Sequence, residues 1–117
     1  MSRRVPKPWG HEDIWAETDR YVGKILRIEA GKRLSLQLHQ KKDESILVLT
    51  GRLRLELEND AGEIETLELG PRETRRIPTG RRHRFGAIED CELVEVSTPE
   101  LDDVVRLEDD FGRSSDG

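Results

Sequence analysis

Four side chains with metal-binding donor atoms stand at spacings that could bring them together. Gln37 and His39 are two residues apart, Glu44 follows a short polar stretch, and His83 lies much further along the chain. Residues two apart on a β-strand project to the same side, and a turn before Glu44 would let its carboxylate face the same point. Taken singly, each histidine is more simply an ordinary strand residue; the combined spacing is what favours a metal site.

Two imidazoles, one carboxylate and one amide oxygen form a donor set that binds divalent metals. This mixture of nitrogen and oxygen suits zinc, manganese, nickel, cobalt or iron. We expect one divalent ion, with zinc as the first choice. Four protein ligands would leave a coordination position open on a five- or six-coordinate ion, as a catalytic metal requires.

The elements that must position these side chains are short β-strands. Apolar and polar residues alternate with a period of two through Val22–Ile28 and again through Leu53–Glu58, which is the pattern of strands with one buried face. Turn-forming residues separate such runs, and Asn59–Gly62 predicts a hairpin tip between Leu53–Glu58 and Ile64–Leu69. Several short strands divided by turns predict an all-β sandwich or barrel.

The 117 residues are enough for one domain and leave little room for a second. The segment Cys91–Ser97 predicts the last strand, and Glu100–Asp110 predicts either a short helix or an extended flap. The predicted organisation is a single domain over residues 1–113, with an N-terminal arm at 1–12, an acidic C-terminal segment at 98–113 and a disordered tail at 114–117.

Composition excludes several classes of partner. The formal net charge is −5, and no long basic run is present, so we expect no nucleic-acid partner. No segment approaches the roughly 20 consecutive apolar residues of a membrane-spanning helix, and the N-terminus does not resemble a signal peptide. The single cysteine, Cys91, lies in an alternating apolar stretch and is predicted to be a buried structural thiol. These features predict a soluble, cytoplasmic protein.

Some predicted strands carry apolar residues on both faces. Leu47 and Leu49 oppose Ile46 and Val48 on one such strand. An apolar second face needs cover from another sheet or from another subunit. We expect a homodimer, with cover by the terminal segments as the alternative.

Two stretches of the chain resemble the paired motifs of the cupin family. The first motif combines glycine, H-x-H, glutamate and glycine at set spacings, and it is matched by Gly31, Gln37, His39, Glu44 and Gly51, with glutamine in place of the first histidine. The second, P-x-G-x-x-H, is matched by residues 78–83, although Ala87 stands where that motif often ends in asparagine. The resemblance implies a single-domain all-β cupin, a jelly-roll barrel with the metal inside.

Longer matches are similar to the cupin domain of type II mannose-6-phosphate isomerases. That family also has glutamine at the first ligand position, and its characteristic segments are matched by residues 7–10, 33–37 and 102–113. The resemblance implies interconversion of mannose 6-phosphate and fructose 6-phosphate through an enediol, with a phosphosugar as the partner.

The resemblance also implies roles for individual residues. Lys24 shares a strand face with Leu26 and is a candidate base or charge partner, unless it reaches water at the barrel mouth. Glu95 is the alternative base, or else the counterion of Lys24. The candidate substrate-binding residues are Arg33, Arg82 and Arg113 for the phosphate, with Trp9 at the barrel mouth; Arg82 could equally be solvated, and Trp9 could simply pack the arm.

Two other functions fit the same motifs. One is a non-catalytic cupin that binds a sugar or another small molecule. The other is an iron-dependent cupin dioxygenase, although Gln37 argues against it because oxygen chemistry usually relies on several imidazoles.

Overall fold

The alternating segments of the sequence form β-strands in the computed structural model, which describes residues 2–113. The predicted tail at 114–117 lies outside the described residues. The strands are β1 (Arg3–Lys7), β2 (Gly10–Glu17), β3 (Val22–Ile28), β4 (Leu36–Leu38), β5 (Glu44–Thr50), β6 (Leu53–Glu58), β7 (Ile64–Leu69), β8 (Thr74–Ile77), β9 (His83–Ala87), β10 (Cys91–Ser97) and β11 (Val105–Glu108). Residues 2–113 contain no helix that could cross a membrane.

Two antiparallel sheets enclose the core, as the predicted jelly-roll barrel requires. One sheet has the order β1-β2-β3-β10-β5-β8, and the other has the order β11-β4-β9-β6-β7. The core draws apolar side chains from both sheets, including Leu26, Val48 and Leu93 from the first and Leu55 and Phe85 from the second. The prediction of an all-β fold is confirmed.

The predicted hairpin is present with the predicted strand bounds. β6 pairs with β7 from Leu53↔Leu69 to Glu58↔Ile64. At its tip the Asn59 side-chain oxygen accepts hydrogen bonds from the backbone N–H groups of Ala61 and Glu63, at 2.9 and 3.0 Å. Gly62 has a φ of +81°, a conformation that costs glycine little because it has no Cβ.

The prediction that Cys91–Ser97 is the last strand is wrong. The acidic segment beyond it forms β11, which adds to the edge of the five-stranded sheet by pairing with β4. This settles the choice between helix and extended flap in favour of an extended strand. The segment predicted as an N-terminal arm forms β1 and the start of β2, at one edge of the six-stranded sheet.

Strand β5 has two apolar faces: one packs in the core, and the other is exposed to solvent. Ile46 and Val48 are 2% and 0% exposed, whereas Leu49 on the opposite face is 42% exposed and Val96 on the neighbouring strand is 48% exposed.

Cys91 is buried in the core, and burial raises the pKa of its thiol to about 11. That environment agrees with an inert structural cysteine.

Candidate metal centre and its cavity

Three of the four predicted metal ligands are held by neighbouring elements at one point inside the barrel. His39 follows β4, Glu44 begins β5 and His83 begins β9. Residues 40–43 form the loop between His39 and β5. Asp103 holds this loop, because its carboxylate accepts hydrogen bonds from the backbone N–H groups of residues 40, 41 and 42 at 3.0, 2.6 and 2.9 Å. Burial alone would raise the pKa of Asp103, but these hydrogen bonds outweigh it and lower the pKa.

The donor atoms of His39, Glu44 and His83 all lie within 4.8 Å of one another, and all three residues are buried. Glu44 Oε1 is 3.6 Å from His39 Nε2 and 3.3 Å from His83 Nε2. Two imidazole nitrogens therefore face one carboxylate oxygen, which is the arrangement of first ligands around a divalent ion.

Backbone carbonyls fix the tautomer of each imidazole. His39 Nδ1 lies 2.5 Å from the main-chain oxygen of Asp103, and His83 Nδ1 lies 2.9 Å from that of Arg81. A carbonyl oxygen can only accept, so each Nδ1 must carry the proton. In a neutral imidazole the lone pair is then on Nε2, the atom that faces Glu44, and metal-binding histidines are commonly oriented in this way.

The three facing atoms lack any other polar partner. His39 Nε2, Glu44 Oε1 and His83 Nε2 are buried and have no hydrogen-bond partner among residues 2–113. Three lone pairs that converge without a donor are unfavourable in a buried site. A divalent cation between them would satisfy all three, so these residues fit the predicted ion.

Glu44 is held in its ionised form. Burial by itself would raise its pKa, but hydrogen bonds from the two imidazoles when their Nε2 atoms are protonated, and in either tautomer the charge of Lys42, hold the pKa well below the usual range. An ionised carboxylate is the form that ligates a metal.

Gln37 is placed where it could complete the set. It lies directly opposite His83 in the pairing of β4 with β9, and it lines the same cavity as His39. Its Oε1 accepts a hydrogen bond of 2.7 Å from Ser35 Oγ. An amide oxygen has two lone pairs, so one remains for a metal. Ligation by Gln37 stays a prediction.

Lys42 is the residue of this centre that the sequence analysis missed. It is 5% exposed, and its ammonium lies 3.2 Å from Glu44 and 3.0 Å from Glu95. It therefore bridges the proposed ligand and the predicted base. Its position two residues before Glu44 was a usable signal, because residues two apart on an extended segment share a face.

The centre opens into a cavity of about 220 Å³ between the two sheets. This volume is below the range of drug-sized ligand pockets and suits a small metabolite. Trp9 lines the cavity and is also 1% exposed within the core; its part in substrate binding stays a prediction. The charged residues that line the cavity include Lys24, Lys42, Glu95, Arg106 and Arg113.

Lys24 and Glu95 both point into the cavity, but they do not form the predicted ion pair. They are directly opposite each other on β3 and β10, and they are 6% and 4% exposed. The ammonium of Lys24 instead contacts Glu12 at 3.3 Å, while Glu95 pairs with Lys42. Burial and the charge of Glu44 raise the pKa of Glu95, against the opposing effect of the lysines.

The three predicted phosphate-binding arginines are separated by the structure. Arg113 lines the cavity, where Asp109 holds its guanidinium through two contacts of 3.0 Å. Arg33 is outside and forms a bidentate pair with Asp110, at 2.7 and 2.9 Å. Arg82 is also outside and contacts Glu58 at 3.1 Å. The structure therefore does not bring Arg33 or Arg82 to this cavity.

Comparison with known structures identifies the architecture. KdgF from Halomonas sp. superposes with a TM-score of 0.72 at 22% identity, covering 85% of this chain and 86% of that one. Oxalate decarboxylase from Bacillus subtilis superposes with a TM-score of 0.78 at 14% identity, covering 91% of this chain and 30% of that one. At these identities the likeness shows the fold alone, and that fold is the cupin.

Comparison of sequences identifies the family. Mannose-1-phosphate guanylyltransferase ManC of Salmonella typhimurium (strain LT2) is 37% identical over 119 residues, which cover 97% of this chain and 24% of ManC. The chain thus spans about a quarter of the length of the curated relatives it matches. The family model described as "Mannose-6-phosphate isomerase C-terminal" matches residues 1–109. The chain therefore belongs to the mannose-6-phosphate isomerase C-terminal family of cupins.

Proposed function

We propose that this domain is a metal-dependent aldose–ketose isomerase that interconverts mannose 6-phosphate and fructose 6-phosphate. The observation that carries the proposal is the set of three unsatisfied acceptor atoms, on His39, Glu44 and His83, beside a cavity that also contains a buried carboxylate and a buried ammonium. The family description supports the choice of substrate.

The buried metal-facing residues would hold one divalent ion, with Gln37 as a fourth ligand. Two nitrogen donors with oxygen donors favour zinc. When bound, the ion supplies charge that polarises a carbonyl and stabilises the oxyanion that develops during isomerisation.

Glu95 is the proposed base. Its raised pKa suits a group that must take a proton and return it near neutral pH. In open-chain mannose 6-phosphate the Glu95 carboxylate takes the proton from C2, and the electron pair of that C–H bond forms the C1–C2 double bond of the enediol while O1 gains a proton from water. Protonated Glu95 then gives its proton to C1, and O2 loses its proton to water and becomes the carbonyl oxygen of fructose 6-phosphate.

Lys24 has a supporting role in this scheme. It stands opposite Glu95 on the next strand and is held by Glu12. Its ammonium can donate a hydrogen bond to a substrate hydroxyl or to the enediol oxygen as charge develops there.

The test combines turnover with hydrogen exchange on zinc-loaded protein. Fructose 6-phosphate in D₂O should take up deuterium at C1, as seen by proton NMR, and mannose 6-phosphate should appear. Glu95→Gln should lower both rates by about 10²–10⁴-fold with zinc affinity retained, whereas His39→Ala should abolish zinc binding and turnover together. Arg52→Gln, at an exposed ion pair with Glu68, is the matched surface control.

Three results would overturn part or all of this proposal. Undiminished deuterium uptake in Glu95→Gln would remove Glu95 as the base and leave the isomerase standing. Tight zinc binding by the wild-type protein with neither turnover nor exchange would favour a non-catalytic binding cupin, while oxygen consumption with iron would favour a dioxygenase.

The proposal includes a homodimer through the open face of the six-stranded sheet. Leu47, Val94 and Ile25 stand opposite one another on three adjacent strands, beside the exposed side chains of Leu49 and Val96. This apolar row is the type of surface that a second copy covers.

The dimer is tested by light scattering coupled to size exclusion. Val94→Glu should produce a monomer, because a charge at the centre of the row would be buried without a partner. Ile64→Glu, on the exposed face of β7, should leave the mass unchanged. A wild-type monomer at high protein concentration would refute the dimer.

A further inference from the structure

The cavity carries a different charge from the rest of the protein. The whole chain has a formal net charge of −5, but six lysine and arginine residues line the cavity against three carboxylates, on Glu12, Glu95 and Asp102. An excess of cations in a cleft concentrates anionic ligands there. The cavity is therefore matched to an anion.

The cations belong to two regions of the cavity. Lys24 and Lys42 are deep: Lys24 contacts the partly buried Glu12, and Lys42 contacts the buried Glu44 and Glu95. The others come from the terminal segments: Arg3 and Lys7 lie on β1, at the edge of one sheet, and Arg106 lies on β11, at the edge of the other, with Arg113 just beyond it. Lys7 makes no ion pair within the described part of the chain.

Strand pairing places Arg106 in line with the metal centre. Arg106 is directly opposite Gln37 in the pairing of β11 with β4, and Gln37 is directly opposite His83 in the pairing of β4 with β9. Directly opposed residues of antiparallel strands project from the same face, so the three form a row across the sheet. Two strand spacings separate Arg106 from His83, which is about 10 Å between their backbones.

That separation suits a substrate with reacting and anionic ends. The carbonyl of an open-chain hexose phosphate lies at C1 or C2, and the phosphoryl group is at the far end of the carbon chain, on C6. A molecule with its carbonyl at the metal centre and extended along the row would bring its phosphoryl group towards Arg106.

The neighbourhood of Arg106 favours an anion on electrostatic grounds. Burial and, after it, the charge of Arg113 lower the pKa of Arg106, with Asp109 opposing them. Two guanidinium groups close enough to repel each other are stabilised by an anion between them.

We propose that Arg106, with Lys7 from the opposite edge strand, forms the subsite for the terminal phosphoryl group and sets the preference for phosphorylated over unphosphorylated sugars. The assignment rests on the proposed function for its choice of a hexose phosphate. The phosphoryl group is thereby assigned to residues of β11 and β1, and not to Arg33 and Arg82 as the sequence led us to expect.

Calorimetric binding to zinc-loaded protein tests the subsite with three probes: fructose 6-phosphate, fructose and inorganic phosphate. Arg106→Gln should weaken fructose 6-phosphate binding by roughly 10- to 100-fold, as expected for loss of a charged hydrogen bond. It should also weaken inorganic phosphate binding and leave fructose and zinc affinities unchanged. Lys7→Gln should act in the same direction. Arg27→Gln, in an exposed pair with Asp90, is the control and should change none of them.

The outcomes separate this subsite from the isomerase proposal. If the wild-type protein binds fructose 6-phosphate in an Arg106-dependent way without turnover, the subsite stands and the isomerase fails. If it turns over fructose 6-phosphate and Arg106→Gln keeps the full preference over fructose, the subsite is refuted and the isomerase stands. Equal loss of fructose and fructose 6-phosphate binding in Arg106→Gln would also refute the subsite.

Discussion

Lys42 offers the sharpest test of how the buried charges are arranged. It is the cation between Glu44 and Glu95, and all three side chains are at most 6% exposed. Lys42→Met keeps most of the length and the apolar part of the side chain and removes the charged ammonium group. The variant would leave two ionised carboxylates buried near each other without the cation that now separates them.

The size of the effect follows from the two contact distances. At 3.2 and 3.0 Å, each ion pair contributes about 5 kcal/mol of attraction at an effective dielectric constant of about 20. Desolvation of the three charges offsets most of this attraction, but removal of one partner from a buried pair typically costs about 3–5 kcal/mol. For a chain of this length that loss corresponds to a fall in Tm of roughly 10–20 °C.

The assay is thermal and urea unfolding of metal-free protein at neutral pH. Lys32→Met, at the exposed pair with Glu29, is the matched control and should change stability by no more than about 0.5 kcal/mol. Glu95→Gln in the Lys42→Met background should restore much of the loss, because it removes one of the two stranded charges. Saturating zinc should also reduce the deficit, because a cation at Glu44 would replace part of the lost charge.

The pH dependence has a definite sign. Glu95 already has a raised pKa in the folded protein, and loss of the Lys42 charge would raise it further. A carboxyl group whose folded pKa is raised binds its proton more tightly in the folded than in the unfolded state, so stability falls as pH rises. The deficit of Lys42→Met should therefore be largest at neutral pH and shrink towards pH ~4. A deficit no larger than that of Lys32→Met, or independent of pH, would refute this account.

Three further predictions concern the backbone at a turn, the buried thiol and the ion pair between Asp109 and Arg113. In urea unfolding, Gly51→Ala should lower the free energy of unfolding more than Gly31→Ala. Both glycines have a φ of +81°, but a Cβ at Gly51 would overlap the carbonyl oxygen of Asp90, whereas Gly31 faces open space. Equal losses of stability in the two variants would exclude the clash. Cys91, buried with a pKa of about 11, should react with a thiol reagent at pH ~8 only as fast as the protein unfolds, and immediate reaction would contradict its placement. The hydrogen bond from Arg113 lowers the pKa of Asp109 to about 2. The stabilisation that this gives the folded protein is present above the ordinary pKa of about 3.9 and is lost as pH falls through the folded value. Asp109→Asn should therefore be less stable than wild type at neutral pH, and the two stabilities should converge near pH 2 in acid denaturation.

The strands were predictable because their signal is local. Leu53–Glu58, Ile64–Leu69 and Cys91–Ser97 have the bounds that alternation indicated, since a strand with one buried face shows that burial in its own sequence. β11 was not resolved as a strand from its sequence, because Val105–Glu108 is short and its burial is only partial. Its extended form depends on pairing with β4, which is a contact between distant parts of the chain.

The site was predictable for residues that both match a motif and lie on the inward face of a strand. The prediction failed for arginines that were chosen because they are close in sequence to those residues. Arg82 immediately precedes His83, and adjacent residues on a strand point to opposite faces, which is why Arg82 lies outside the cavity that His83 faces. Lys42 is two residues from Glu44 and so shares its face, but it lies in a stretch whose sequence predicts a turn. Arg106 becomes visible as a cavity residue only through the register of β11 on β4, which no local pattern records.

The charge of the buried set gives a physical reason for an amide at position 37. Glu12, Glu44 and Glu95 face Lys24 and Lys42 in the interior, so the set has one excess negative charge when all three carboxyls are ionised and both imidazoles are neutral. A divalent ion would reverse that sign, and an anionic substrate would then be attracted to the site. A carboxylate in place of Gln37 would add a further negative charge and weaken that attraction, whereas an amide oxygen offers a ligand without charge. The same Gln37 oxygen is also held by Ser35, so its direction is set before any ion binds.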